Sequence, residues 1–395
     1  MINLTRLWTG HAQPADHLRY GRGENAPASS RERRPIVVWN ITRTCNLRCV
    51  HCYSDSDRCA YSGELTWDEC TRVIDDLSAF GIPGLLLSGG EPMVHHRFFD
   101  LARHAREKGL RLTLSTNGTL ITPTNALRLK ELDFAYVGIS LDGIGPVHDA
   151  FRRTEGAFDK AVAAFRNCRA VGQKTGLRFT LTRHNVANID QVLDFIEAED
   201  IPRVCFYHLV PSGRGGELQL LTPEEARTTL DRLIARVEKW AASGRPREVL
   251  TVTQPADGVY LLLRQQAEDP GRAKETERLL SWNGGAHAGP GTGIGNIDSQ
   301  GNVHADQFSQ SWCLGNVRER PFSEIWQDTA AHARLASLRG QGGEVHGRCG
   351  GCRFFSLCGG GFRQRAATLT GDPLGSDPCC PLSDEEIAPA AAALA

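Results

Sequence analysis

Short apolar runs alternate with amphipathic stretches over residues 35–247. The runs have the length of buried strands and the stretches have the length of helices, which is the pattern of repeated βα units. Thr66 and Thr222 are each followed by a glutamate three residues later, and this spacing predicts capped helix starts. Strands are predicted at 36–41, 85–87, 110–114, 135–141, 177–181 and 203–209, and helices at 125–132, 158–171 and 189–197.

The number of repeats and the point where they stop define the predicted architecture. Six βα units fall short of the eight of a closed barrel, so we expect an α/β fold with an open, partial (βα)6 barrel. After residue 247 the alternation fades and cysteines become frequent. The predicted units are an N-terminal extension at 1–34, the barrel at 35–247, a helical linker at 248–285 and a cysteine-rich domain at 286–395.

Composition and charge narrow the range of functions. The chain has 45 Lys and Arg and 46 Asp and Glu, a formal net charge of −1, so no strong positive field would attract a nucleic acid. No apolar run approaches the ~20 residues of a membrane span, and residues 1–10 lack a signal-peptide pattern. We expect a cytoplasmic protein. Its 13 cysteines, an odd number in a long chain, favour metal–thiolate sites over disulfides.

Cys45, Cys49 and Cys52 form a C-x3-C-x2-C motif directly after the first predicted strand. Three thiolates this close can hold one inorganic centre, and iron–sulfur clusters prefer thiolate ligands. A cubane cluster takes four ligands, so three would leave one iron open to a small molecule, as catalytic metal sites keep one position open. A zinc knuckle or a set of redox cysteines is the alternative, and the spacing alone leaves both open.

Glycines and polar residues follow three successive predicted strands. The segments are Ser-Gly-Gly-Glu-Pro at 88–92, Ser-Thr-Asn-Gly at 115–118 and Ser-Leu-Asp-Gly at 140–143. Because chemistry in such folds lies at the carboxyl ends of the strands, we expect all three segments beside Cys45. Glycines allow a ligand to approach the backbone closely, and the polar side chains suit an amino group, a carboxylate and a ribose.

The cysteine motif followed by a Gly-Gly-Glu-Pro strand end resembles the radical S-adenosylmethionine (SAM) superfamily. The resemblance implies the partial (βα)6 barrel and a [4Fe–4S] cluster on the three cysteines, whose fourth iron binds SAM. An external one-electron donor of the ferredoxin or flavodoxin type would reduce the cluster, which then splits SAM to a 5′-deoxyadenosyl radical. The residues that the resemblance assigns to SAM are Gly89, Gly90 and Glu91 for the amino group, Asn117, Ser140 and Asp142 for the ribose or methionine part, and Arg152 for the carboxylate.

A second cysteine motif, C-x2-C-x5-C with a fourth thiolate further on, comprises Cys349, Cys352, Cys358 and Cys380. Four thiolates complete a cubane cluster or a tetrahedral zinc site. The motif resembles the SPASM type of C-terminal extension, which carries auxiliary clusters. A full SPASM domain holds two and has a further upstream cysteine, where Asn296 stands here. The resemblance therefore implies one auxiliary [4Fe–4S] cluster, with Cys380 rather than the adjacent Cys379 as its fourth ligand and zinc as the alternative.

The resemblance covers nearly the whole chain and is closest to radical SAM enzymes of siroheme-derived tetrapyrrole pathways. Segments 18–22, 136–143, 206–209 and 301–308 are among those that carry it. It implies an iron tetrapyrrole substrate, 12,18-didecarboxysiroheme, which loses its acetate side chains to give Fe-coproporphyrin III in haem synthesis. The alternatives are the haem d1 branch that acts on the propionates of the same substrate, a radical SAM enzyme that matures peptides, and a zinc-binding interaction protein.

A substrate with several carboxylates requires fixed cations, and arginine makes bidentate carboxylate contacts. Three arginines at strand ends or in Gly-rich loops are candidates: Arg178, Arg214 and Arg365. The candidates for an axial iron ligand or a proton donor are His208, His304 and Asp306. For each of these residues a surface charge or a structural hydrogen bond is the alternative.

Overall fold

A computed structural model describes residues 1–20, 34–283, 289–340 and 344–389. Eleven strands in these residues form a single sheet. The strands are Ile2–Asn3 (β1), Ile36–Asn40 (β2), Leu85–Ser88 (β3), Leu112–Thr116 (β4), Tyr136–Ser140 (β5), Thr175–Leu181 (β6), Arg203–His208 (β7), Glu248–Val252 (β8), Ile294–Ile297 (β9), Asn302–His304 (β10) and Gly315–Asn316 (β11).

The strand order in the sheet is β1-β8-β7-β6-β5-β4-β3-β2-β9-β10-β11. Strands β2 to β8 run parallel to their neighbours, and β9 also lies parallel beside β2. Strand β1 is antiparallel to β8, and β9, β10 and β11 pair antiparallel in turn. The six predicted strands correspond to β2–β7. The carboxyl ends of these strands consequently share one face, as expected for a βα repeat.

Strand β8 lies where the sequence predicts a helical linker. Its five residues continue the parallel series beside β7, with Arg203 opposite Glu248 in register. Glu248 is buried and forms ion pairs with Arg19 and Arg203, so an acidic residue begins a core strand. These ion pairs join residues that are far apart in the sequence, and a five-residue run that begins with a charged residue shows little strand periodicity. The sequence pattern therefore did not predict this strand.

The helices lie between the strands and in the C-terminal part of the chain. None of them, within the described residues, is long and apolar enough to cross a bilayer. The helices are Leu4–Thr9 (α1), His17–Tyr20 (α2), Trp67–Phe80 (α3), Phe98–Glu107 (α4), Pro123–Glu131 (α5), Pro146–Arg152 (α6), Ala157–Ala170 (α7), Ile189–Ala198 (α8), Pro223–Ala242 (α9), Ala256–Glu268 (α10), Pro270–Asn283 (α11), Phe322–Gln327 (α12), Ala333–Leu338 (α13), Gly347–Gly350 (α14), Phe355–Cys358 (α15), Arg363–Thr370 (α16) and Asp384–Ile387 (α17).

The predicted start of helix α3 is confirmed in atomic detail. Thr66 Oγ1 accepts a hydrogen bond from Glu69 N, and the Glu69 carboxylate accepts one from Thr66 N at 2.8 Å. Gly81 ends the helix in the left-handed region, at φ +76°, where a side chain would be strained. Thr222 forms the same reciprocal capping box at the start of α9.

The first residues belong to the barrel rather than to an extension of it. Strand β1 pairs with β8, so the N-terminus covers what would otherwise be an open sheet edge. Leu4 and Leu7 are fully buried, and Tyr20 Oη accepts a hydrogen bond from Asn3 N at 3.0 Å. The unit predicted as residues 1–34 therefore contributes to the core in its described part, and residues 21–33 lie outside the described residues.

Strands β9–β11 connect the C-terminal part to the barrel. Strand β9 continues the sheet beside β2, and Phe322 at the start of α12 packs on Phe80 of α3 with ring centroids 6.3 Å apart. Ser323 binds the Asp76 carboxylate through both N and Oγ. This docking places Phe308 beside Tyr53, which follows the first cysteine motif, with ring centroids 5.3 Å apart. Parts of the predicted linker and cysteine-rich domain, residues 284–288, 341–343 and 390–395, lie outside the described residues.

Candidate active site

A cavity opens at the carboxyl ends of strands β2 to β7. Its wall includes the three cysteines of the first motif and residues from every one of these strand ends. The lining residues are Val38, Cys45, Leu47, Cys49, His51, Cys52, Tyr53, Ser54, Leu86, Ser88, Gly89, Gly90, Ser115, Thr116, Asn117, Ser140, Asp142, Arg152, Arg178, Thr180, Tyr207, His208, Leu209, Val210, Arg214, Gln307 and Phe308.

The three thiols of the first motif line this cavity together and are hydrogen-bonded. Each sulfur accepts a hydrogen bond from an N–H group at 3.4 Å: Cys45 from Leu47 N, Cys49 from Arg152 Nη1 and Cys52 from Ser56 N. Hydrogen bonds to sulfur are a normal part of iron–sulfur ligation. All three thiols face the same cavity, and thiolates are the ligands that iron–sulfur clusters prefer. Burial raises the pKa of the Cys45 thiol to about 12, so a bound cation is needed to favour its thiolate.

Arg214 holds the cysteine loop in place. Its Nε donates to the Cys49 carbonyl oxygen at 2.9 Å and its Nη2 donates to the Ser56 carbonyl oxygen at 2.8 Å. Its backbone N donates to the carbonyl oxygen of Cys52 at 3.0 Å. The sequence predicts Arg214 as a substrate contact. It does line the cavity, but its guanidinium is engaged with the loop backbone, and this geometry fits a positioning role.

Gly89 and Gly90 permit the loop after β3 to lie against the loop after β2. A Cβ atom on Gly89 would lie 2.4 Å from the carbonyl oxygen of Thr42, and one on Gly90 would lie 2.4 Å from that of Thr44. Gly89 also has φ +153°, which L-residues rarely adopt. Only glycine fits here, and both residues line the cavity as the sequence predicts.

Glu91 differs from the prediction in where its carboxylate lies. The side chain is fully buried behind the cavity wall and accepts hydrogen bonds from Thr116 Oγ1, Met93 N and Asn117 N at 2.7–3.1 Å. Burial raises its pKa to about 7, although all three donors favour the ionised form. The carboxylate joins the ends of β3 and β4, so Glu91 positions the residues that line the cavity and does not line it itself.

Asp142 and Arg152 form a buried ion pair beside Cys49. Burial alone would raise the pKa of Asp142, but the charges of Arg152 and His51 outweigh burial and lower it. Asp142 also accepts a hydrogen bond from Thr180 N at 2.9 Å. Arg152 Nε is buried without a protein partner, which leaves one donor free toward a ligand. Both residues line the cavity where the sequence places the SAM contacts.

Asn117 and Ser140 complete the predicted set at the strand ends. Asn117 Nδ2 donates to Asn46 Oδ1 at 2.8 Å, and Asn46 lies within the cysteine loop. Thr119 N in turn donates to Asn117 Oδ1 at 2.9 Å. Ser140 lies at the end of β5 and lines the cavity. All the predicted SAM residues except Glu91 therefore share one cavity with the three cysteines.

His148 supports this cavity from behind and makes a pH-dependent contribution to stability. Its Nδ1 accepts a hydrogen bond from Asp142 N at 3.0 Å, which requires a neutral ring. Burial, and next the charge of Arg152, lower the pKa of His148 to about 3. A histidine with a depressed folded-state pKa contributes fully above its unfolded pKa, and the contribution is lost as the pH falls below that value.

We expect the His148→Asn variant to be less pH-sensitive than the wild type. Asparagine keeps an acceptor for Asp142 N but does not titrate. Between pH 7 and pH 5 the wild type should lose about 2 kcal/mol more free energy of unfolding than the variant, at about 1.4 kcal/mol per pKa unit. Anaerobic urea unfolding at both pH values measures this difference. An equal loss in both proteins would contradict the assignment.

His208 lines the cavity and forms a buried pair with Asp257 behind it. His208 Nε2 lies 2.9 Å from Asp257 Oδ2, and Asp257 is fully buried in the first turn of α10. Thr253 Oγ1 donates to the His208 carbonyl oxygen at 2.6 Å. Because Asp257 engages Nε2, Nδ1 is the ring nitrogen left for a ligand or a proton. His208 lines the cavity as the sequence predicts, and its carboxylate partner was not predicted.

His304 and Asp306, predicted as substrate contacts, are not among the residues that line this cavity. His304 Nδ1 lies 2.8 Å from the carbonyl oxygen of Trp312. Asp306 accepts hydrogen bonds from Phe308 N at 3.0 Å and from Ser309 Oγ at 2.6 Å. Both side chains shape the turn that presents Gln307 and Phe308, so the residues beside the predicted ones reach the cavity.

The sequence reasoning missed the aromatic wall of the cavity. Phe308 packs edge-on against Tyr53 with ring centroids 5.3 Å apart, and Tyr207 stands beside His208 at the end of β7. Tyr53 follows the last cysteine of the motif directly, and Tyr207 precedes a predicted site residue. Adjacency to the motifs is the signal that would have found both.

The four cysteines of the second motif line a separate small cavity, with Arg348, Phe355, Gly360, Gly361, Asp377, Leu382 and Ile387. Cys352 Sγ accepts a hydrogen bond from Phe354 N at 3.4 Å, and Cys358 Sγ accepts one from Gly361 N at 3.2 Å. Cys380 lines this cavity and Cys379 does not. The donor set therefore fits an auxiliary cluster.

Arg365 connects this second cavity to the barrel. It is fully buried and forms a two-point ion pair with Asp377 at 2.6 and 2.9 Å. Its Nη1 donates to the carbonyl oxygen of Thr253 at 3.0 Å. Arg365, a predicted contact of a substrate carboxylate, lines neither cavity, and its guanidinium is occupied by Asp377 and Thr253.

Comparison with known proteins identifies the family. The model of the radical SAM superfamily matches residues 39–196, and that of an iron–sulfur cluster-binding domain, SPASM, matches residues 291–353. Fe-coproporphyrin III synthase of Methanosarcina barkeri is 45% identical over 397 residues, which cover 98% of this chain and 99% of that protein. The chain belongs to the radical SAM superfamily. As a radical SAM enzyme with a SPASM domain, it binds SAM and a [4Fe–4S] cluster and carries an auxiliary iron–sulfur site.

Further relatives and solved structures agree with this assignment. Pre-heme d1 synthase of Dinoroseobacter shibae is 41% identical, over 89% of this chain and 87% of that protein. The native anSMEcpe structure with bound AdoMet and Cp18Cys peptide has a TM-score of 0.67 at 21% identity, covering 88% of this chain and 94% of that one. Streptococcus suis SuiB bound to S-adenosylmethionine has a TM-score of 0.63 at 16% identity, covering 88% and 77%. The predicted radical SAM fold with a C-terminal SPASM domain is confirmed.

Proposed function

We propose that this radical SAM enzyme removes the acetate side chains of 12,18-didecarboxysiroheme and so forms Fe-coproporphyrin III. The observation that carries the proposal is the full-length similarity to an Fe-coproporphyrin III synthase, which extends through both cysteine motifs. The similarity to a pre-heme d1 synthase is lower and covers less of the chain, so it makes the haem d1 branch the second candidate.

The site residues are proposed in three roles. Cys45, Cys49 and Cys52 ligate the cluster that binds SAM, and Arg214 and Glu91 position the loops around it. When bound, this cluster and SAM together supply the 5′-deoxyadenosyl radical. The proposed SAM contacts at the strand ends are Gly89, Gly90, Asn117, Ser140, Asp142 and Arg152.

The remaining cavity wall is proposed to receive the tetrapyrrole. Tyr53, Tyr207 and Phe308 offer aromatic surface to a planar ring, and such a wall keeps water from a reactive site. His208, oriented by the contact of its Nε2 with Asp257, presents Nδ1 on the substrate side. The side chains therefore divide the cavity between a cysteine-lined SAM end and an aromatic substrate end.

The second cysteine cavity is proposed to hold one auxiliary [4Fe–4S] cluster. Its ligands are Cys349, Cys352, Cys358 and Cys380, the four thiols that share the cavity wall. An external one-electron donor of the ferredoxin or flavodoxin type is proposed as the electron source. The Asp377–Arg365–Thr253 contacts give this site a rigid connection to the strand end that carries His208.

Mass spectrometry of a single reaction tests the function. The anaerobically reconstituted enzyme is mixed with SAM, dithionite and 12,18-didecarboxysiroheme. We expect stepwise loss of two acetate groups together with formation of 5′-deoxyadenosine. Change at the propionates would transfer the enzyme to the haem d1 branch, and 5′-deoxyadenosine without any change in the tetrapyrrole would exclude this substrate.

A further inference from the structure

Arg178 lies in the middle of strand β6, and its side chain extends into the cavity. Residues of the two neighbouring strands, β5 and β7, determine the direction of this side chain. A Cβ atom on Gly138 of the neighbouring strand β5 would lie 2.6 Å from Arg178 Cδ, so the side chain crosses β5 only because that position has no side chain. On the other side its guanidinium lies 4.7 Å from the ring centroid of Tyr207 on β7. The lining of the cavity includes Arg178.

Arg178 differs from the two other arginines that line the cavity within the described part of the chain. Arg152 is paired with Asp142, and Arg214 donates to two backbone carbonyl oxygens. No ion pair and no side-chain hydrogen bond of Arg178 exists among the described residues, and its one close partner is the tyrosine ring.

A half-buried guanidinium without a counter-ion is costly, since the hydration that it loses is not replaced. An anion that arrives with a ligand removes this cost, and the planar fork of arginine suits a carboxylate bound at two points. The neighbouring rings of Tyr207 and Tyr53 are suited to a large planar ligand. The site thus combines one unpaired cation with aromatic surface.

We propose that Arg178 anchors a carboxylate of the bound tetrapyrrole inside the barrel and thereby fixes which edge of the ring faces SAM. This inference rests on the proposed function for the class of substrate. The carboxylate of SAM has the same chemistry, and the experiment below is designed to separate the two sources.

The test measures binding rather than turnover. Fe-coproporphyrin III, the proposed product, is titrated into anaerobically reconstituted enzyme and followed by its Soret absorbance, and SAM binding is measured separately by equilibrium dialysis. Arg178→Gln should weaken binding of Fe-coproporphyrin III about ten- to a hundredfold, the range for one hydrogen-bonded charge. It should leave the Kd for SAM within about twofold, the scatter of such energies.

Two further variants keep the result interpretable. Gly138→Ala retains the arginine but obstructs its path, so it should weaken binding of Fe-coproporphyrin III in the same direction. Arg183→Gln removes a surface arginine that follows β6 and pairs with Glu225, and it should bind like the wild type. Iron content and circular dichroism confirm that each variant is folded and loaded.

The outcomes separate the failure of this inference from the failure of the proposed function. A wild type that does not bind Fe-coproporphyrin III would count against the proposed substrate class, and with it the anchor. A wild type that binds it, with Arg178→Gln binding equally well, would overturn the anchor alone. Loss of SAM affinity in Arg178→Gln with porphyrin binding intact would overturn it in favour of the SAM carboxylate.

Discussion

The Cys49→Ala variant is expected to form no 5′-deoxyadenosine when it is reconstituted with iron and sulfide and mixed with SAM and dithionite. Cys49 lies between the other two thiols of the motif, and its sulfur also accepts the hydrogen bond from Arg152. With two thiolates left, the cluster that reduces SAM loses a ligand it cannot replace from the surrounding residues. Chromatography of the reaction mixture measures the nucleoside directly.

A matched control shows whether loss of 5′-deoxyadenosine formation is specific to Cys49 or follows from removal of any cysteine in the loop. Cys59 lies in the same loop, is exposed and does not line the cavity. Cys59→Ala should therefore form 5′-deoxyadenosine at the wild-type rate. Iron analysis should show about eight irons in the wild type and about four in Cys49→Ala, since each cubane holds four. Wild-type yield of the nucleoside from Cys49→Ala would contradict the ligand assignment.

The barrel strands were predictable because each is specified locally. Strands β2 to β7 are apolar runs bounded by turn residues, and the capping boxes of α3 and α9 are contained within four residues. Strands β1 and β8 were not predicted as part of the barrel. They are stabilised by each other and by ion pairs of Glu248 with distant arginines, which no local pattern reveals.

The SAM end of the cavity could likewise be predicted, because its residues follow the strand ends. The βα repeat brings these strand ends together on one face. The substrate end could not, since side-chain direction there depends on tertiary contacts. His304 and Asp306 lie in the predicted region, yet each is turned toward a backbone partner. Arg178 and Arg365 look alike in sequence, but one faces the cavity and the other is buried in an ion pair with Asp377.

The two adjacent cysteines at the end of the second motif, Cys379 and Cys380, are expected to differ strongly in their effect on iron content, because they lie differently relative to the auxiliary cavity. Cys380 lines the cavity of the second motif, whereas Cys379 lies outside it. The Cys379 backbone is held on both sides, since its N donates to Asp377 Oδ1 at 3.1 Å and its carbonyl oxygen accepts from Gln254 Nε2 at 2.7 Å. These two hydrogen bonds fix the backbone at Cys379, so the side chains of Cys379 and Cys380 lie in different surroundings. Substitution of either cysteine by alanine removes one sulfur and leaves the backbone hydrogen bonds in place.

Cys380→Ala is therefore expected to lose about four irons per chain, one whole cubane, while Cys379→Ala retains the wild-type content. The two variants differ by one position and by the same deleted sulfur, so each is the control for the other. Both should still form 5′-deoxyadenosine with dithionite, because the first cysteine motif lies in a separate cavity. Loss of the auxiliary irons from Cys379→Ala and their retention in Cys380→Ala would reverse the assignment of the fourth ligand and would require the 377–380 turn to rearrange when the cluster binds.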